Sequence, residues 1–268
     1  MTGGGSQLIL ASVGRASDAA FLAAADLAAI AAELDVPYRL VGGNAVTLLV
    51  AVHGVGGLVP ARETADADFG AEYPVVADPR LLAALRERGY RQQSGNRFLR
   101  THTLPSTTGR AAPIWDLVID VLAPSYVGRL QPNQPHGELV VDEVPGLNLA
   151  LARDGTPVTV EVTLTSGHTV ITTLMLPDVV SAICLKAYAY AGRFTERDAV
   201  DLWRLLEAAY AAGITAANWP TGPTAAEAAA VLRRHFGRPG SPGLVRATNS
   251  MRDRTRIAAL VAHVIGPP

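Results

Sequence analysis

Two stretches decide how this chain folds: Tyr38-Arg39-Leu40-Val41-Gly42-Gly43-Asn44-Ala45-Val46, and after it Arg62-Glu63-Thr64-Ala65-Asp66-Ala67-Asp68-Phe69. The first reads as a short apolar strand over 38–41, a turn at Gly42-Gly43-Asn44 and a helix over 45–52. Glycines at such a turn let the backbone come close to a ligand, and the amides opening the helix face an anion. The second reads as a strand over 65–69. Asp66 and Asp68 stand at i and i+2, so a strand points both carboxylates to one face, about 7 Å apart at Cα. Like charges on one face repel unless a cation lies between them, and the pair therefore invites a divalent metal. The competing explanation is a solvated acidic surface.

Working outward, a third acid joins the pair. In Trp115-Asp116-Leu117-Val118-Ile119-Asp120-Val121-Leu122, Asp120 is embedded in an otherwise apolar strand, expected over 114–122. A buried carboxylate needs a partner. An arginine would be the structural rescue, and a metal shared with Asp66 and Asp68 the functional one. Asp116 has the same strand parity and ranks second. Elsewhere the sequence predicts a helix over 17–34 with Ser17 or Asp18 as N-cap, and a helix opened by Asp78-Pro79 that ends before Gly89. A strand is expected over 97–103 and a proline-marked loop over 123–136. Residues 139–176 look β-rich, with Val158, Val160, Val162 and Leu164 alternating with Thr159, Glu161 and Thr163. From Pro177 the pattern is helical, with breaks near Gly192, Gly213, Pro220 and Pro239. The expected architecture is α/β (α+β): a lobe with a mixed sheet over 1–176, followed by an α-helical lobe over 177–268.

Composition bounds the function. The chain has 268 residues, 49% hydrophobic and 18% charged, a globular composition with length enough for two lobes around one site. One cysteine, Cys184, excludes an internal disulfide and fits a reducing compartment. The start, Met1-Thr2-Gly3-Gly4-Gly5-Ser6-Gln7, has no basic leader region. No uncharged apolar run approaches the roughly 18 residues of a membrane span. A cytoplasmic protein is expected. The 23 Lys+Arg comprise 22 arginines and a single lysine, Lys186, whose compact ammonium is not interchangeable with a guanidinium. Net charge is −1, yet residues 233–256 hold Arg233, Arg234, Arg238, Arg246, Arg252, Arg254 and Arg256 against Asp253 alone. That segment carries +6 and the remainder −7, an acidic body with a basic arm. A solvated helical face would show the same counts.

Taken together, Gly42-Gly43, then Arg62-x-Thr64-x-Asp66-x-Asp68, then the apolar strand around Asp120, resemble the polymerase-β-type nucleotidyltransferase superfamily. Lys186, in Leu185-Lys186-Ala187-Tyr188, is followed by Arg193 and by Arg197-Asp198-Ala199-Val200-Asp201-Leu202. This pattern resembles the abortive-infection (AbiEii-type) nucleotidyltransferase toxins and their MenT-like members. The likeness runs over about 38–206, in four short motifs. Glu63 departs from it, standing where the family often has an aromatic residue. The resemblance implies Mg²⁺ held by Asp66, Asp68 and Asp120, and a nucleoside triphosphate as substrate. Its donor contacts would be Gly42, Gly43, Asn44, Arg62, Thr64 and Lys186. It also implies a need for Lys186 and for either Asp198 or Asp201.

For the acceptor, the resemblance implies RNA, at the 3′ end of tRNA, so that translation is blocked, with a cognate antitoxin as partner. The basic segment suits an RNA backbone. Asp198 and Asp201 lie at i and i+3 on one helix face, which an ordinary surface salt-bridge helix would also show. Two alternatives stand beside this expectation. One is a small-molecule, aminoglycoside-type nucleotidyltransferase, for which Asp116, Asp142 and Glu161 are spare acids. The other is a non-catalytic nucleotide-binding module. The six histidines show no metal-ligand spacing, though His102 shares strand parity with Arg100 and is a cleft candidate. Ser106 and Ser125 lack a Ser/His/Asp context.

Overall fold

The computed structural model describes residues 6–103 and 114–266. Residues 1–5, most of the stretch read above for a leader, and Ser106 lie outside them. In chain order the elements are β1 (Ser6–Ala11), α1 (Arg15–Leu34), β2 (Arg39–Val41), α2 (Gly42–Val52), β3 (Asp66–Gly70), α3 (Tyr73–Val76), α4 (Pro79–Glu87), β4 (Arg91–Ser94), β5 (Arg97–Thr103) and β6 (Ile114–Pro124). Next come β7 (Gln131–His136), β8 (Leu139–Val144), α5 (Leu147–Ala152), β9 (Thr156–Thr163) and β10 (Thr169–Leu176). Five helices complete the described chain: α6 (Val179–Arg193), α7 (Glu196–Ala211), α8 (Pro223–Phe236), α9 (Pro242–Ala247) and α10 (Met251–Ile265). The protein is thus mixed α/β. Among the described residues no helix is long and apolar enough to cross a membrane.

The larger sheet runs β2-β3-β6-β5-β4, with β8 on the far half of β6 and β7 beyond it. β3 and β6 are parallel, while β2 and β5 flank them antiparallel. Strand alternation then sorts the side chains. Ala67, Phe69, Leu117, Ile119, Val121 and Phe98 are buried on the face that α1 covers. Asp66, Asp68, Asp120 and Arg97 share the opposite face. A second sheet, β1-β9-β10, buries Val158, Val160 and Val162, as their alternation predicts. One hydrophobic core extends from α1 through both sheets to α10. Its continuity follows from α7 packing on both α2 and α6.

Three local expectations need correction. α1 opens at Arg15 with Gly14 as N-cap, so Ser17 and Asp18 lie inside the first turn. Asp18 is fully buried and spends its carboxylate on Thr165, accepting from the backbone N–H at 3.0 Å and from the hydroxyl. It ties the β9–β10 turn to the helix instead of capping. α2 starts at Gly42, so the Gly42-Gly43-Asn44 turn is its first turn. The loop expected over 123–136 contains the end of β6 and all of β7. Pro132 and Pro135 sit on β7, which among the described residues is an outer strand pairing with β8 alone, and their lack of an N–H is tolerated at a sheet edge.

Candidate active site

The pairing register assembles the site. Val41 pairs with Asp68, Asp68 with Asp120, and Asp120 with Arg97, so one row crosses four strands. Asp120, found by its incongruity in an apolar strand, is 7% exposed. Arg97 forks onto it, Nε donating to Oδ1 at 3.0 Å and Nη2 to Oδ2 at 2.7 Å. Arg97 Nη2 also lies 3.9 Å from Asp66 Oδ2. Thr64 Oγ1 donates to Asp66 Oδ1 at 2.6 Å and fixes that carboxylate at the start of β3. Arg97 is one of the site residues that sequence reasoning missed. Its signal was present, since an arginine opens a strand next to one holding a buried acid, but only the register makes them neighbours.

The glycine turn closes on this row. Gly42 has φ +71°, a conformation glycine adopts at no steric cost, and a Cβ there would lie 1.7 Å from Asp68 Oδ2. A Cβ on Gly43 would meet Arg62 Nη1 at 2.5 Å and Thr64 Oγ1 at 2.9 Å. Gly42 and Gly43, which open α2, line the same cavity as the carboxylates. Asn44 does not: it is buried and its side-chain amide donates to the Ala20 carbonyl at 3.1 Å, pinning α2 to α1.

Across the space stands a cluster of cations. Lys186 projects from α6 and is 7% exposed, and its Nζ lies 2.8 Å from Asp201 and 3.6 Å from Asp198. Arg62 Nη1 donates to both oxygens of Asp201, at 3.0 and 3.2 Å. Arg204 Nη1 approaches Asp201 at 3.5 Å. Asp201 is fully buried on α7 and does not reach the cavity, so it acts as a hub that orients Lys186 and Arg62. Asp198 does line the cavity and accepts a fork from Arg193, at 3.1 and 2.8 Å, and the Thr195 hydroxyl at 2.6 Å. Burial raises the Asp198 carboxyl, but the bonds from Arg193 and Thr195 and the charges of Lys186 and Arg193 outweigh it and leave it below the ordinary carboxylate range.

Gly42, Gly43, Arg62, Thr64, Asp66, Asp68, Arg97, Asp120, Lys186, Arg193 and Asp198 line one cavity of about 500 Å³. Its wall is completed by apolar side chains such as Leu122, Leu130 and Leu185. The spare acids stand elsewhere. Asp116 is exposed and accepts from Thr101 at 3.1 Å, Asp142 accepts from the Asn133 N–H at 3.0 Å, and Glu161 belongs to the second sheet. His102 faces away from the cavity, packed on Trp115, while Arg100 on the same face pairs with Asp26 at 2.7 Å. The basic segment is not an arm. It is the end of α8, all of α9 and the start of α10, and three of its arginines are committed, Arg254 through its Nε to the Thr248 carbonyl at 2.8 Å. Arg256 forks onto Glu207 at 3.1 and 2.9 Å, and Arg233 donates to the Ile265 carbonyl at 2.8 Å.

Electrostatically the cavity has two ends of opposite sign. Burial first, then the charges of Asp66 and Asp120, push the Asp68 carboxyl up to about 8, against the opposing pull of Lys186 and Arg193. Three carboxylates sharing a wall are short of positive charge, and their all-oxygen donor set suits a hard divalent ion. Among the described residues no three acidic, imidazole or thiol groups stand in ready-made metal geometry, and Asp120 is turned onto Arg97. The carboxylate row and the cation cluster line the same cavity, which is the distribution of charge that a metal-bound polyphosphate complements.

No protein-family profile matches the chain, and no curated protein matches it.

Proposed function

We propose that the protein is a Mg²⁺-dependent nucleotidyltransferase with a polymerase-β-like catalytic lobe. It takes a nucleoside triphosphate as donor and an RNA acceptor, the 3′ end of tRNA, in the manner of an AbiEii-type toxin. One observation carries the reaction class: Asp68 pairs in register with Asp120, and the Gly42-Gly43 turn and the Lys186–Arg62 cluster open onto the same cavity. The RNA acceptor rests on the likeness of the motif from Lys186 to Leu202.

Each residue then has a task. Asp66, Asp68 and Asp120 would hold Mg²⁺, which when bound neutralises phosphate charge and acidifies the acceptor hydroxyl. The α2 amides at Gly42 and Gly43 approach phosphate oxygens without a Cβ in the way. Lys186 and Arg62, oriented by Asp201, stabilise the charge that builds on the leaving group. Asp120 accepts the hydroxyl proton as the acceptor oxygen bonds to the α-phosphorus. The bond from that phosphorus to the bridging oxygen breaks, and pyrophosphate leaves. An aminoglycoside-type acceptor loses its support, because Asp116, Asp142 and Glu161 all stand off the cavity.

Purified protein is incubated with total RNA, Mg²⁺ and each of the four labelled nucleoside triphosphates in turn. Label is expected in a tRNA-sized band with at least one nucleotide, and Asp68→Asn is expected to abolish it. Transfer undiminished in Asp68→Asn, or no transfer from any triphosphate, counts against the proposal.

A further inference from the structure

We propose that Arg97 is the resident counter-ion of the carboxylate row. A divalent cation enters as its guanidinium leaves, and the released fork then turns to the donor phosphates. The inference rests on the proposed cation site at Asp66, Asp68 and Asp120.

Geometry carries it. Among the described residues Arg97 is the only cation paired with any of these three acids, bidentate to Asp120 and 3.9 Å from Asp66. Its position is dictated by the sheet, since Arg97 is the cross-strand partner of Asp120. The guanidinium thus stands where two of the expected ligands converge and supplies the charge that a metal would supply. The Arg97 fork occupies a lone pair on each Asp120 oxygen and competes with a cation for that carboxylate, so binding and release are linked. The two sides of the pair differ in mobility. The Asp120 side chain is 10% exposed and the Arg97 side chain 44%, so Arg97 is the partner with room to swing.

The released side chain does not leave the site. Arg97 opens β5 on the wall of the cavity that also holds Gly43, Arg62 and Lys186. A planar fork matches two phosphate oxygens as well as it matches a carboxylate. Arg97 is therefore a positioning residue with two partners: Asp120 before the cation arrives, and the triphosphate afterwards. Opposite effects of its removal follow. Cation binding tightens because nothing has to be displaced, and triphosphate binding weakens because one fork is lost. A purely structural arginine would weaken both, or neither.

The test measures Mn²⁺ binding to nucleotide-free protein by electron paramagnetic resonance of the unbound ion. It then measures the affinity of a non-hydrolysable nucleoside triphosphate at saturating Mn²⁺. Arg97→Gln is expected to bind Mn²⁺ roughly ten- to hundredfold more tightly than wild type, the worth of a charge-assisted fork. It is expected to bind the analogue at least several-fold more weakly. Asp120→Asn in the Arg97→Gln background should erase the gain in Mn²⁺ affinity. Arg97→Lys keeps charge without the fork and should fall between; if Arg97→Gln does not fold, this variant decides. Wild-type Mn²⁺ binding left unchanged or weakened by the substitution overturns the inference and leaves the metal site standing. Absence of Mn²⁺ binding to folded wild type and variant alike overturns both. Tighter Mn²⁺ with unchanged analogue affinity overturns the hand-over to phosphate.

Discussion

Asp201→Asn tests whether the cation cluster is held from beneath. Asp201 is fully buried and is approached by Lys186 at 2.8 Å, Arg62 at 3.0 Å and Arg204 at 3.5 Å. Hydrogen bonds to charged groups contribute roughly 1.5–3 kcal/mol each, and removing one partner of a buried ion pair costs roughly 3–5 kcal/mol. Asparagine keeps the size and one acceptor oxygen, so the loss should sit at the lower edge, about 3 kcal/mol. For a chain of this length that lowers the melting temperature by roughly 6–12 °C. Urea unfolding at neutral pH reads the free energy directly. The substitution should also weaken triphosphate binding, because Lys186 and Arg62 lose their common anchor. A cycle with Lys186→Met should show coupling of roughly 1–3 kcal/mol between the two positions. A loss of less than about 1 kcal/mol, with donor affinity intact, would refute the assignment of Asp201 as the hub.

Two further outcomes are expected. Gly42→Ala forces an L-residue to φ +71° with its Cβ 1.7 Å from Asp68 Oδ2, and should abolish transfer in folded protein. Gly54→Ala bears a similar backbone cost at φ +67°, roughly 1–2 kcal/mol, but meets nothing within 4 Å, so its turnover should stay near wild type; equal turnover in both variants would separate Gly42 from the site. Asp198 has a folded pKa below its unfolded value of about 3.9, so its stabilisation is present above that value and lost as pH falls through the folded one. The gap in unfolding free energy between wild type and Asp198→Asn should therefore be wide at pH 6 and shrink from about pH 4 downward. An unchanging gap would mean that the fork from Arg193 and the bond from Thr195 are not its source.

What the sequence disclosed and what it withheld divide along a physical line. Period-two alternation named the strands with one buried face, β9 clearest of all, because burial imposes that period directly. Asp66, Asp68 and Asp120 were legible because each breaks a pattern: a pair on a short strand, and an acid among valines and leucines. Lys186 was legible as the single lysine among arginines. Register was not legible, since no local signal says which residue of β5 faces Asp120, and so Arg97 stayed hidden. Nor was the partnering of polar groups. Asp18 has the look of a cap and instead ties down the β9–β10 turn, Asn44 has the look of a ligand contact and bonds to Ala20, and Arg256 looks solvated and forks onto Glu207. β7 was hidden because proline forbids central strands but not outer ones.

The two charged ends of the cavity come from distant parts of the chain, and they are not independent. The acids ride on β3 and β6, elements of the central sheet, whereas Lys186, Asp198 and Asp201 ride on α6 and α7. Arg62 joins them, bonding to Asp201 across 139 positions of sequence. It does so from the segment that runs directly into β3, two residues before Thr64, which itself holds Asp66. A displacement of α7 therefore reaches the carboxylate row through a short path: Asp201, Arg62, the backbone of 62–66, then Asp66. The packing of α7 on α2 adds a second path, since α2 begins at Gly42 against Asp68. The acid row and the cation cluster are thus fixed to each other at both edges of the cavity. Loss of the Asp201 hub should disturb the carboxylates as well as Lys186, whereas among the described residues the polar bonds of Arg97 go to the acid row, so Arg97→Gln should reach Arg62 and Lys186 only through it.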